Sequence, residues 1–388
     1  MNYDYIIIGN GIAGYSALKE LAKDTDKKTL IISKEKENTY YRTQLSHFIS
    51  KDFTDKECYV CKDSWYKEHD IDVKLDCKVT KINTDKKTII TENDEEIGYE
   101  KLLIATGARA FVPPIKGVES DGVFAIRTLD DLKSFKKSLE DSNTVIIIGG
   151  GILGLEAAKS IQKTGRKVVV IESFDYILNK QLDNELSLKL KDELEKLNII
   201  AKTGKNTTEI LSEDGKVSGV KLDDGEVVEG ELILVQTGIR SNIEIAKNSG
   251  LETDRGIMVN KNLKVEDKDI YVAGDAAQIG KATMGLWTAA MEMGQIAGKN
   301  MLGDNLEYDT PKPFSLLNLD EIKLFSAGSH DGEEMKKEDG DKIYKLFKKD
   351  DKIIGGILWQ DTKYMNDVKK IVFEGKPLEE TKLKEIFE

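Results

Sequence analysis

"YDYIIIGNGIAGYSALKELAK", Tyr3 to Lys23, runs four apolar residues into three glycines spaced Gly9-x-Gly11-x-x-Gly14, then into a helical pattern from Ala13 to Ala22. The order predicts strand, tight turn, helix. The first glycine lets the backbone turn sharply, the second lets it approach a pyrophosphate, and the third lets helix and strand pack with no Cβ between them. The helix start offers free N–H groups and a positive dipole end to an anion. Alone, such a turn also serves as a plain connector.

The arrangement recurs. "NTVIIIGGGILGLEAAKSIQKTGRKVVVIES", Asn143 to Ser173, places Gly149, Gly151 and Gly154 after the apolar run Thr144 to Ile148. A helix is expected over Leu153 to Thr164, ended by Gly165, and the strand Lys167 to Ile171 stops on Glu172. Each loop has an acidic residue about 20 positions on, Glu35 for the first and Glu172 for the second, where an adenosine ribose is met. Two loops predict two dinucleotides.

Composition narrows the class. A chain of 388 residues holds two or three domains, and 39% hydrophobic residues with five prolines describe a compact fold. No apolar run approaches a membrane span, and the first strand starts too early for a signal peptide, so a cytoplasmic protein is expected. The net charge of −12 argues against nucleic acid as a partner. Only six of the basic residues are Arg, and Arg42, Arg109 and Arg127 fall in segments of interest; charge runs such as Lys336 to Lys342 read as solvated faces or loops.

Both halves end on an apolar strand followed by Thr-Gly, at Thr106-Gly107 and Thr237-Gly238, an internal repeat of whole domains. The later strand "DIYVAGDAAQ", Asp269 to Gln278, is followed by a helix from about Gly285 to Met301 with no third glycine loop, so it is expected to complete the first domain around an inserted second. The expected division is 1–110 with 241–308, then 111–240, then a small α+β domain over 309–388.

Cys58-Tyr-Val-Cys61 reads either as a redox disulfide or as two thiols in a loop. With no glycine loop or helix start beside it, the position favours the loop reading. Cys77 and three scattered His offer no second ligand pair, so no metal site is expected.

Taken together, the two GxGxxG loops, "LLIATGA" (102–108), "TGIRSN" (237–242), "VAGDAA" (272–277) and "YYRTQLSHFI" (40–49) resemble the FAD-dependent pyridine nucleotide reductases, and among them the NADH:rubredoxin reductases and ferredoxin-reductase-like flavoproteins. The resemblance covers essentially the whole chain. It implies an α/β fold of two Rossmann-like dinucleotide-binding domains, of the glutathione-reductase type, plus a small C-terminal domain. It implies bound FAD at Gly9, Gly11, Ile12, Ala13 and Gly14, with Ser33, Lys34 and Glu35 at the adenosine ribose and Val79 at the adenine. Ala105, Thr106, Gly107 and the segment Tyr41 to Ser46, with Arg42, Gln44, Leu45 and Ser46, would line the flavin, with Gly274 and Asp275 on the ribityl chain and Gly285, Leu286 and Trp287 near the ring.

NADH would lie on Gly149, Gly151, Ile152, Leu153 and Gly154, bordered by Arg127 and Gly238, with Glu156 beside the nicotinamide and Glu172 on the ribose. Glu172, followed by Ser173-Phe174-Asp175, supplies no cation for a 2′-phosphate, which favours NADH over NADPH. Glu156, Arg42 and His47 are the expected catalytic residues. His47 reads as a proton relay or, preferably, as a packing residue; His69 and His330 read as surface residues. The family's disulfide-using members carry a cysteine where this chain has Leu45-Ser46-His47, and no cysteine occurs from 1 to 57. The resemblance therefore points to single-electron delivery to a small iron protein, rubredoxin first, steered by a local Lys/Arg patch. A cysteine-independent oxidase or peroxidase, a ferredoxin- or nitrite-reductase-type flavoprotein, and a redox-sensing binding module are the competing readings.

Overall fold

The computed structural model describes residues 1–387 and divides into two compact units. The first comprises Met1–Gln44, Asp52–Phe111 and Gly238–Pro311, and the second Leu45–Lys51, Val112–Thr237 and Lys312–Glu388, of which Glu388 lies outside the described residues.

The first unit is organised by a parallel sheet in which Asn2–Ile8 lies between Thr29–Ile32 and Glu96–Ile104, with Ile71–Lys74 outside Thr29–Ile32. The register sets Ile6 opposite Leu30 and Leu102, all fully buried, as expected of strands covered on both faces. Val79–Asn83 and Thr88–Thr91 extend the sheet antiparallel, and Ile270–Val272 joins Glu96–Ile104 in parallel, so the late strand returns to the first sheet. The helices Ile12–Leu21 and Trp287–Leu302 pack together closely; a Cβ on Gly294 would lie 2.2 Å from the Ala13 carbonyl oxygen.

The second unit repeats the plan. Its parallel sheet runs Ile199–Thr203, Lys167–Glu172, Thr144–Ile148, Leu232–Val235, Val123–Phe124, beside a meander of Thr207–Glu213, Lys216–Leu222 and Val227–Glu229. The second loop helix spans Ile152–Gln162, shorter than the sequence suggests because the chain turns at Lys163 before reaching Gly165.

The C-terminal part of this unit is a five-stranded antiparallel sheet backed by the helix Met365–Glu374. The run Lys336 to Lys342 is a solvated face rather than a loop, exposed from Lys337 to Asp341. Lys336 lies in the edge strand Glu333–Asp339 and bonds Glu185 at 2.5 Å. Fully buried Lys345 bonds Asp183, Glu185 and Glu334 at 2.5, 2.7 and 3.0 Å, so three carboxylates offset one desolvated ammonium. These carboxylates converge as a metal site would, but the ammonium already sits among them. Among the described residues no helix is long and apolar enough to cross a membrane.

Candidate functional site

Both glycine loops have the same construction. Gly9 and Gly149 adopt φ of +111° and +116°, and a Cβ there would sit 2.2 Å from the Ala105 oxygen and 2.4 Å from the Gln236 oxygen. Each loop therefore presses on the strand end that leads into its Thr-Gly turn. Gly14 and Gly154 touch the carbonyls of Gly9 and Gly149 in the same way.

At Gly11 and Gly151, by contrast, an added Cβ would meet nothing within 4 Å. Both residues are helix N-caps without a side-chain acceptor, so first-turn N–H groups face open space in front of each loop. Such cradles fit the pyrophosphates of two dinucleotides.

The acidic residues are held differently. Glu35 accepts from Arg42 Nη2 at 2.8 Å through Oε1 and from Tyr40 Oη at 2.7 Å through Oε2. The Arg42 guanidinium also lies over the Tyr40 ring, 4.7 Å from its centre. Two residues expected to contact the cofactor thus contact each other, and the buried Tyr40 joins them. Glu172 accepts from backbone N–H groups of Gly150 at 2.8 Å and Phe174 at 3.0 Å, and from Ser173 Oγ at 3.2 Å.

Backbone bonds from Tyr41 to Cys58 and from Val60 to Thr39 clamp the Tyr40 segment against the CxxC. None of the three cysteines is in a disulfide; Cys58 is buried, and burial pushes the Cys61 thiol up, the opposite of an activated nucleophile. Tyr41 stacks on Trp287 with ring centres 5.9 Å apart. Ser33 is buried and caps the Glu35 N–H, Val79 is buried in its strand, and Lys34 and Gln44 are exposed.

Gly107 and Gly238 fall together in the first unit, where Ala108–Ala110 pairs antiparallel with Ile239–Ser241. Thr106 Oγ1 donates to the Asn242 carbonyl at 2.9 Å, and the Asn242 amide returns a bond to the Thr106 carbonyl at 2.8 Å. Ser241 Oγ holds the Asp275 carbonyl at 2.6 Å, fixing the turn Gly274–Ala276. Gly285 and Leu286 lead into the helix that begins at Trp287, two residues later than the sequence suggests.

Leu45, Ser46 and His47 belong to the second unit, where the segment lies on the second loop helix. Ser46 Oγ donates to Glu156 Oε2 at 3.4 Å, and Ser160 Oγ bonds Ser50 Oγ at 3.0 Å. Burial holds the Glu156 carboxyl above its ordinary value, with the Ser46 bond opposing. Burial, then Lys51 and Lys163, push His47 below its ordinary value against Asp320. Leu153 is exposed, Ile152 half-buried, and Arg127 precedes the helix Leu129–Glu140, its N–H held by Asp131. His69 is exposed as expected, whereas His330 is half-buried on the Phe347 ring and bonded to Ser326, because its strand neighbours fold over it.

Sequence reasoning gave no role to Tyr40 or Asn242, although Tyr41 opens the segment expected at the flavin and Asn242 closes the TGIRSN motif.

A family model for pyridine nucleotide-disulphide oxidoreductase matches residues 3–294, and one for the rubredoxin NAD+ reductase C-terminal domain matches residues 313–376. The NADH-rubredoxin oxidoreductase of Clostridium acetobutylicum is 32% identical over 83% of this chain and 81% of its own length. The nitrite reductase [NAD(P)H] of Bacillus subtilis is 31% identical over 97% of this chain, which spans 48% of that relative's length. The crystal structure of the Clostridium NADH:rubredoxin oxidoreductase superposes with a TM-score of 0.85 at 28% identity, covering 97% of this chain and 96% of the other.

Proposed function

The chain belongs to the pyridine nucleotide-disulphide oxidoreductases, an oxidoreductase family using FAD and a nicotinamide dinucleotide, and on that premise we propose that it is an NADH:rubredoxin oxidoreductase. The observation that carries this reading is the pair of glycine cradles in a chain with no cysteine from 1 to 57. Bound at the first loop, FAD supplies a carrier that accepts a hydride and releases electrons singly.

The chain's own residues hold, orient and exclude water. Segments 1–110 and 241–308 form the FAD domain, and 111–240 the NADH domain. Glu35 takes the adenosine ribose, Arg42 the phosphate or flavin, and Asp275 the ribityl hydroxyls. Glu156 lies beside the nicotinamide, its half-buried carboxyl kept hydrogen-bonded by Ser46. Glu172, fixed by three donors, takes the ribose hydroxyls and disfavours a 2′-phosphate.

A second reading, electron supply to nitrite reduction, is favoured by the Bacillus subtilis relative, about half of which this chain matches. Anaerobic reduction by NADH, followed by rubredoxin, ferredoxin, nitrite, oxygen or a disulfide, separates the two. Fastest reoxidation by rubredoxin supports the first; fastest reoxidation by nitrite or oxygen overturns it.

A further inference from the structure

We propose that Tyr40 is a positioning residue that locks Glu35 for the adenosine ribose and thereby makes the first loop discriminate FAD from a flavin without adenosine. The inference rests on the reading of that loop as the FAD site.

A free carboxylate three residues past a strand end rotates among several rotamers, and an adenosine diol selects only one. Here both oxygens are already engaged, Oε2 by Tyr40 at 2.7 Å and Oε1 by Arg42 at 2.8 Å. Each oxygen keeps a further lone pair, so a vicinal diol finds two acceptors at fixed spacing. Tyr40 suits this work because it is itself immobile. It is 4% exposed, and its backbone is bridged to Tyr59. Burial raises its phenol far above the ordinary value, so it remains a donor through the working pH range.

The same ring supports the other ligand. Arg42 spreads over its face while bonding Glu35, and the two charged side chains are about one-fifth exposed, at 20% and 21%. Arg42 offsets the carboxylate's charge, so the acid can sit near a pyrophosphate without repelling it. One phenol thus sets two groups through two different contacts, a hydrogen bond to Glu35 and a ring face under Arg42.

The contacts can be removed separately. Tyr40→Phe keeps the face and deletes the hydrogen bond. Apoprotein made by stripping FAD from the holoprotein is titrated with FAD and with FMN, following flavin fluorescence, for wild type, Tyr40→Phe, Glu35→Ala and the double variant; unfolding midpoints are recorded alongside. The expected result is a Kd for FAD raised about tenfold in Tyr40→Phe, a Kd for FMN changed less than about twofold, and a double variant no weaker than Glu35→Ala.

Unchanged FAD affinity in Tyr40→Phe, equal weakening of FAD and FMN, or additive losses in the double variant would each overturn the proposal. A different result marks failure of the underlying reading: wild-type apoprotein that takes up no FAD, or Glu35→Ala that binds FAD as wild type does.

Discussion

At the first glycine loop the acidic residue is bound by a cation and a buried phenol from a few residues downstream; at the second it is bound by backbone N–H groups, one from the glycine loop itself and one two residues on. The loops otherwise match, down to the carbonyl each first glycine presses upon. Glu35 is neutralised and anchored by side chains, while among the described residues no lysine or arginine pairs with Glu172. An anchored, charge-balanced acid suits a group that stays. An acid with its charge intact suits one that comes and goes and rejects an added phosphate. The fold repeats; the electrostatics of the two loops differ.

The comparison breaks hardest at the loops. Gly9→Ala and Gly149→Ala each drive a methyl into a backbone carbonyl at positive φ, costing about 3 kcal/mol or more. The expected phenotypes are crossed: Gly9→Ala purifies without yellow colour, whereas Gly149→Ala stays yellow and is not bleached by NADH. Absorbance before and after NADH distinguishes them, and two identical phenotypes would end the division of labour.

Glu172→Gln sharpens the electrostatic half. NADH should lose about tenfold in KM while NADPH loses less or gains, so the ratio of the two kcat/KM values narrows. Steady-state kinetics with both donors checks it.

Glu156 gives a smaller, pH-dependent effect. Its folded-state value is raised, so the native chain holds the proton where the unfolded chain has lost it. Stability contributed by this group is complete below the ordinary carboxyl value and declines as pH rises through the raised one. Glu156→Gln should flatten that decline in the unfolding midpoint and remove the matching step in NADH KM. Smallest is the salt effect: if a basic patch steers an acidic iron protein, the rate with rubredoxin falls several-fold as salt rises, while reduction by NADH does not change.

The paired loops were legible in sequence because a switch from apolar strand to glycine turn to 3.6-residue period is local. The return of Ile270–Val272 to the first sheet followed from the lack of a third loop. Contacts across long separations were not legible. Ser46 meets Glu156 110 residues away, and Lys345 in "KIYKLFKK" looks like a solvated lysine until Asp183 and Glu185 fold against it. Periodicity gives the face of an element, and a partner's charge is decided elsewhere in the chain.

Where the chain leaves the first unit and where it returns, Ala108–Ala110 and Ile239–Ser241 run side by side, and the Phe111 N–H reaches the Gly238 carbonyl at 2.8 Å. The first unit is therefore sealed across its own interruption, its two cut ends as near as those of a hairpin. An exchange of Val112–Thr237 at this seam would leave the first unit's ends joined, yet it would have to keep what that segment meets within its own unit, Ser46 against Glu156 and Lys345 against Asp183 and Glu185.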